Sequence, residues 1–207
     1  MPIRDRNIDR LREFLYIPET AFSGIIGLTT GTDASVHTGV AVRQEVNTTG
    51  DAGLLMDTAA DLVIGRVHMP FFDPNFDIGV RVHWSTESLT AADTITWLVT
   101  YDRNAENDTI IVPATALDTV IAQDTATGTA GQDQFTARGK INAKKFAPTI
   151  WSSDDGVTPV LQMWRWMVEL DAFAAGLTED KFFLGLLLDF VPRYTKGGGA
   201  KRRADYL

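Results

Sequence analysis

Cysteine is absent from the 207 residues, which closes off a disulfide framework and all thiolate chemistry. Long apolar runs are missing too. None reaches the roughly 18 residues that a membrane helix needs, so no membrane partner is expected. The opening Met1-Pro-Ile-Arg-Asp-Arg has no uninterrupted apolar stretch, and a secretory leader is not expected. Without export, the Asn47-Thr-Thr and Asn107-Asp-Thr sequons carry no meaning. The fold must then stand on packing, alone or with oligomerisation. A hydrophobic content of 44% and a length suited to one β-sandwich allow that.

Positive charge is scarce except at the ends. The chain carries -8 overall. Residues 1–13 set Arg4, Arg6, Arg10 and Arg12 against Asp5, Asp9 and Glu13, a net +1. Residues 193–207 set Arg193, Lys196, Lys201, Arg202 and Arg203 against Asp205, a net +4. The body between therefore holds -13. Such a body repels nucleic acid and anionic membrane, and direct nucleic-acid binding is not expected. The basic ends suit acidic partner surfaces, including other copies of the same body. The candidate partner-binding residues are Arg4, Arg6, Arg10, Arg12, Lys196, Lys201, Arg202, Arg203 and Tyr206.

What is abundant is strand signal. Ile78, Val80, Val82 and Trp84 alternate with Arg81 and His83, and Ile95, Trp97, Val99 and Tyr101 alternate with threonines. A period of two marks half-buried antiparallel strands. Residues 62–69 and 36–46 read as further strands, each bounded by turn residues. Near the C-terminus, residues 160–170 and 182–191 read as two long strands of a hairpin, with Asp171–Asp180 as the connection. The second is apolar on both faces, which predicts a central strand covered on each side. Helical spacing of Ile8, Leu11, Phe14 and Leu15 predicts a short amphipathic helix or arm over 5–16, stopped by Pro18. Thr115 with Asp118 three residues on, and Leu117, Val120 and Ile121 at helical spacing, predict a short helix over 114–124. The expected organisation is an N-terminal arm and extended segment (1–35), one β-sandwich domain (36–192) and a flexible basic tail (193–207) hinged at Gly197-Gly198-Gly199. The fold class is all-β, mainly antiparallel: a jelly-roll-like sandwich with at most short helices and extended terminal arms.

Signs of catalysis are few. His37, His68 and His83 are the only histidines; His68 and His83 could face each other across neighbouring strands, but no third ligand stands at a definable spacing. They read as exposed or locally hydrogen-bonded strand residues. No Gly-x-Ser-x-Gly elbow occurs, and the glycine run opens no helix. The acids Asp154, Asp155, Asp171, Glu179 and Asp180 read as loop-solvated, and the EF-hand pattern is missing. No catalytic, cofactor-binding or metal residues are assigned, and no enzyme is expected. Trp84, Trp97, Trp164 and Trp166 fall on apolar-alternating faces and read as core or subunit contacts, while Trp151 beside Ser152-Ser153-Asp154-Asp155 is loop-borne.

Five stretches carry a family likeness. Phe76–Ser88 with Ala92–Tyr101, then Leu117–Thr125, Arg138–Ile141 and Val168–Pro192, resemble virion structural proteins of tailed bacteriophages, many from marine and environmental viruses. The likeness spans residues 62–192 and leaves both termini uncovered. It implies a jelly-roll-like or related sandwich on the capsid exterior, assembled in the host bacterial cytoplasm. It also implies a role in decorating or cementing the shell, with the major capsid protein and other copies of itself, as a homotrimer, for partners. Tail, collar or head-fibre placement is the alternative within that class. Outside it stands a carbohydrate-binding module for host glycan, with Trp151 as the platform.

Overall fold

The computed structural model describes residues 12–24, 43–46, 52–56, 59, 61–70, 72–73, 75–104, 118–143 and 163–192. Twelve strands and one 3-10 turn, Glu19–Ala21, make up the regular structure among them. The strands are β1 (Glu13–Pro18), β2 (Phe22–Gly24), β3 (Arg43–Glu45), β4 (Ala52–Leu55), β5 (Leu62–His68) and β6 (Ile78–Thr86). They continue as β7 (Ala91–Asn104), β8 (Asp118–Thr127), β9 (Gln134–Phe135), β10 (Gly139–Ile141), β11 (Met163–Phe173) and β12 (Lys181–Phe190).

All pairings are antiparallel and form two sheets. The first runs β10–β6–β12–β4–β3, with β1 also on β12 and β9 also on β6. The second runs β2–β5–β11–β7–β8. From β5 to β7 the chain changes sheet at every step, and it changes again from β8 to β9 and β10, to β11 and to β12. Central strands β6 and β12 thus face β7 and β11, which is the double Greek-key winding of a jelly roll. The all-β sandwich expected from the sequence is what the chain forms.

Alternation explains the core. Val80, Val82 and Trp84 from β6 meet Trp97, Val99, Trp164, Trp166 and Val168 from the second sheet, all fully buried. Trp164 and Trp166 stack at 5.7 Å between centroids, and Tyr101 stacks on Trp164 at 5.9 Å. Aromatic groups of this size supply much of the apolar area a cysteine-free fold needs. The four tryptophans are core, as their faces indicate. Strand β12 is central and covered on both faces: Leu186 and Leu188 point inward, and Phe182 and Leu184 pack under Val46 and Leu55.

Several local expectations give way to long-range pairing. Residues 118–124 are not helical but part of β8, where Val120, Ala122 and Ala126 face inward at a period of two; 114–117 lie outside the described residues. Residues 13–16 are likewise strand, because pairing with β12 and inward burial of Ile17 override a helical spacing too short to nucleate alone; 5–11 lie outside the described residues. Phe22, expected in an extended segment apart from the core, is buried in it. The first strands of the sandwich therefore precede residue 36. Of the strand expected over 36–46, Arg43–Glu45 is strand and 36–42 lie outside the described residues. The two C-terminal strands are not a hairpin. Strand β11 pairs with β5 and β7, whereas β12 pairs with β1, β4 and β6, so the connection crosses between sheets. Asp171 belongs to β11 beside its bulge; Glu179 and Asp180 are in the crossing.

Candidate functional site

Chemistry gathers on the outer face of the first sheet, where β1 lies on β12. Outward residues there are Phe14 and Tyr16 from β1, Leu187 and Asp189 from β12, Arg81 and His83 from β6, and Phe135 from β9. Register sets their rows: Phe14 stands beside Asp189, Tyr16 beside Leu187 and Arg81, and Gly185 beside His83 and Phe135. Phe14 is 70% exposed, Tyr16 43% and Phe135 42%, so an aromatic band crosses this face.

At one end of the band Asp189, nearly buried, takes two arginines. Arg138 donates through Nε and Nη2 to its two carboxylate oxygens, each at 2.7 Å. Arg12 donates through Nη1 to Oδ1 and to the Asp77 carbonyl. Burial alone would raise the Asp189 pKa, but the hydrogen bonds and charges of Arg138 and Arg12 outweigh it and hold the carboxyl below its ordinary value. The bidentate fork fixes the loop before β10, and Arg12 ties the start of β1 to the same point.

One row further, Tyr16 Oη donates to the Leu184 carbonyl at 2.9 Å and lies 2.7 Å from His83 Nδ1. His83 stacks on Phe135 with ring centroids 4.3 Å apart, and its Nε2 faces Asp133 Oδ1 at 3.4 Å. Burial pulls His83 below the ordinary imidazole value against the opposing charges of Asp133 and Glu19. Burial, with Glu19 and Asp133, pushes the Tyr16 phenol up to about 12. A phenol so held keeps its proton at neutral pH, donated to the Leu184 carbonyl. The Tyr16–His83–Asp133 line ties β1 to β6 and to the segment before β9.

Gly185 makes the approach possible. Its φ is +155°, and a Cβ there would stand 2.5 Å from the Ile17 carbonyl oxygen and 2.8 Å from Tyr16 Oη. The register of β12 against β6 shifts at this glycine. Nothing local in the sequence marks Asp189, Arg138, Tyr16, Phe135 or Gly185 as a group, since each matters only through strand register.

Among the residues expected to bind partners, Arg12 is engaged inside the chain. Arg4, Arg6, Arg10, Lys196, Lys201, Arg202, Arg203 and Tyr206 lie outside the described residues, as do Trp151 and His37. His68 and His83 do not face each other as neighbours, because β5 and β6 belong to different sheets. Among the described residues no group of three or more potential ligands could hold a metal ion. The described body does bring its two ends together: Glu13 pairs with Phe190, so Arg12 and Pro192 mark neighbouring points at one end of the first sheet.

No protein-family model matches the chain, and no curated protein matches it. Among solved structures it is similar to the CBM36-1 domain of a multidomain xylanase from the hindgut metagenome of Trinervitermes trinervoides, at 8% identity and a TM-score of 0.40, over 91% of this chain and all of that one. It is also similar to VP1 of Trichodysplasia spinulosa-associated polyomavirus. In complex with sialylated precision glycooligomers that protein matches at 8% identity and a TM-score of 0.24, over 87% of this chain and 92% of that one. With GM1 oligosaccharide the values are 10%, 0.21, 86% and 92%. At such scores these likenesses carry no argument about function, and the jelly-roll winding rests on this chain's own strand order.

Proposed function

We propose that this chain is a structural protein of a tailed-phage particle, decorating or cementing the capsid shell, with its terminal segments making the attachment. One observation carries the reading: the described body starts at Arg12 and ends at Pro192 on adjacent strands, so a net +1 segment and a net +4 segment depart from one place. Two basic segments from one point engage a single acidic surface together, and the second contact gains from the effective concentration set by the first. The body, at -13, repels its like and leaves bridging to the ends. The resemblance of residues 62–192 to phage virion proteins supports the same reading, and the homotrimer it implies belongs to this proposal. The test is location and copy number: imaging of particles with and without the protein, and its fixed stoichiometry with DNA-filled heads after sedimentation. Density on the shell at high, constant copy number supports the role; density confined to tail or collar replaces it with the tail reading.

The aromatic band favours a second reading, glycan recognition. Phe135 is braced on one face by His83 and 42% exposed, which is the geometry of a ring that stacks on a sugar. Binding on a glycan array that is lost in Phe135→Ala would support it.

A further inference from the structure

Residues 12–24 behave as one clasp across the edge of the sandwich. Strand β1 pairs with β12 in the first sheet; after the single turn Glu19–Ala21, β2 pairs with β5 in the second. Ile17 and Phe22 both enter the core, and Phe22 meets Phe183 edge-to-face at 4.8 Å. The body is cut to receive this segment at two glycines. Gly185 admits β1, and at Gly65 a Cβ would stand 2.7 Å from the Phe22 ring and 2.9 Å from the Ala21 carbonyl oxygen. The groove is thus shaped to residues 12–24, yet nothing in its contacts requires that they come from the same chain.

The connection sets what is possible. Three residues between β1 and β2 are too few to separate them, so the clasp moves whole. Residues 25–42 then join Gly24 to Arg43, and at about 3.3 Å per residue they reach at most roughly 60 Å, more than the width of a sandwich of this size. We infer that the groove formed by β12 and β5 also accepts residues 12–24 of a second copy, so that clasp exchange links neighbouring subunits. The contacts made in exchange are those made within one chain, so the exchange costs the entropy of association and the repulsion between two acidic bodies, which salt screens. Closure within the chain is favoured by an effective concentration on the order of millimolar for a connection of this length. Dilute protein is therefore closed on itself, and copies crowded side by side on a surface exchange. This rests on the assembly reading for its setting but not for its test.

The absence of cysteine allows a clean trap. Ser23 and Ile64 are directly paired residues of β2 and β5, a spacing that suits a disulfide. The chain carrying both Ser23→Cys and Ile64→Cys should oxidise to a monomer linked within itself; failure to do so would show the register to be wrong. A chain carrying Ser23→Cys alone is mixed with one carrying Ile64→Cys alone, held at about 10 µM or about 1 mM, and oxidised. Ser23→Cys mixed with Lys140→Cys, on the far side of the other sheet, gives the collisional background. Exchange predicts a mixed covalent dimer about tenfold above that background at the higher concentration and near it at the lower. No excess at 1 mM from a pair that closes within one chain overturns the proposal. Particle imaging is independent of this result: exchange without shell density removes only the virion reading, and shell density without exchange removes only the clasp.

Discussion

Tyr16 Oη lies 2.7 Å from His83 Nδ1 while its own proton is committed to the Leu184 carbonyl. A carbonyl only accepts, so with the phenol proton directed at Leu184 it is His83 Nδ1–H that donates to the phenol oxygen, and a second proton on Nε2 would face Asp133 Oδ1 at 3.4 Å, which is how Asp133 opposes the lowering. Neutral His83 is the form that burial favours, and its pKa is lowered for that reason first. The charged or titrating groups near it are Tyr16 on β1, Glu19 in the turn, Arg81 on β6 and Asp133 before β9. A folded pKa below the unfolded 6.5 means that the unfolded chain takes up the proton first. The stability from neutral His83 is fully present above about pH 6.5 and is lost as pH falls toward the lower folded value. Thermal midpoints should drop over that window, and His83→Gln should flatten the drop. An unchanged slope in the variant would show that another group titrates.

Asp189 works in the opposite range. Its carboxyl is held below the ordinary carboxylate value, so its contribution is present above about pH 4 and disappears as pH falls through the folded value. Asp189→Ala should leave Arg12 and Arg138 facing a vacated position and cost about 3 kcal/mol by urea unfolding. It should also remove part of the acid-induced loss seen in the parent chain.

Gly185→Ala tests the seat of β1. The added methyl meets the Ile17 main-chain oxygen at 2.5 Å, and the backbone cannot yield without lifting the strand. The expected loss is about 1–3 kcal/mol, with faster amide exchange confined to residues 13–18 and Phe182–Asp189. Uniform protection in the variant would contradict this account of the bulge.

Leu186→Asp probes the middle of the first sheet. Leu186 is fully buried between β1 and β6, and an isolated carboxylate there costs several kcal/mol against a total stability of about 5–15. No cooperative unfolding transition should remain. A soluble variant that unfolds cooperatively would mean the strand is not central.

Strands β6, β7 and β12 were legible because their burial is simple: one face in, one face out, or both covered. Strand β8 was not, since its inward set includes the small Ala122 and Ala126, and the apolar Val120 and Ile121 that remain mimic a helix. Strand β1 misled for the converse reason: Phe14 and Tyr16 are apolar yet face outward. The connection from β11 to β12 has a length that fits a hairpin or a crossing, and only partner choice separates them. The site was hidden more deeply still. Tyr16 and His83 are 67 residues apart, and Arg12 and Asp189 are 177 apart. Charge made Arg12 visible as a basic residue; nothing local named its partner.

Attachment by the terminal segments is the central claim, and shell occupancy of a shortened chain tests it most directly. The cut must leave Arg12 to Pro192, because Arg12, Tyr16 and Ile17 are built into the body. Full-length chain and residues 12–192 would be titrated onto undecorated heads of the parent phage at low and high salt, with bound copies counted after sedimentation. The account predicts that the shortened chain keeps the parent's melting transition but loses most of its occupancy, and that salt weakens only the full-length chain. Equal occupancy with equal salt sensitivity would place attachment on the sandwich faces and contradict the account.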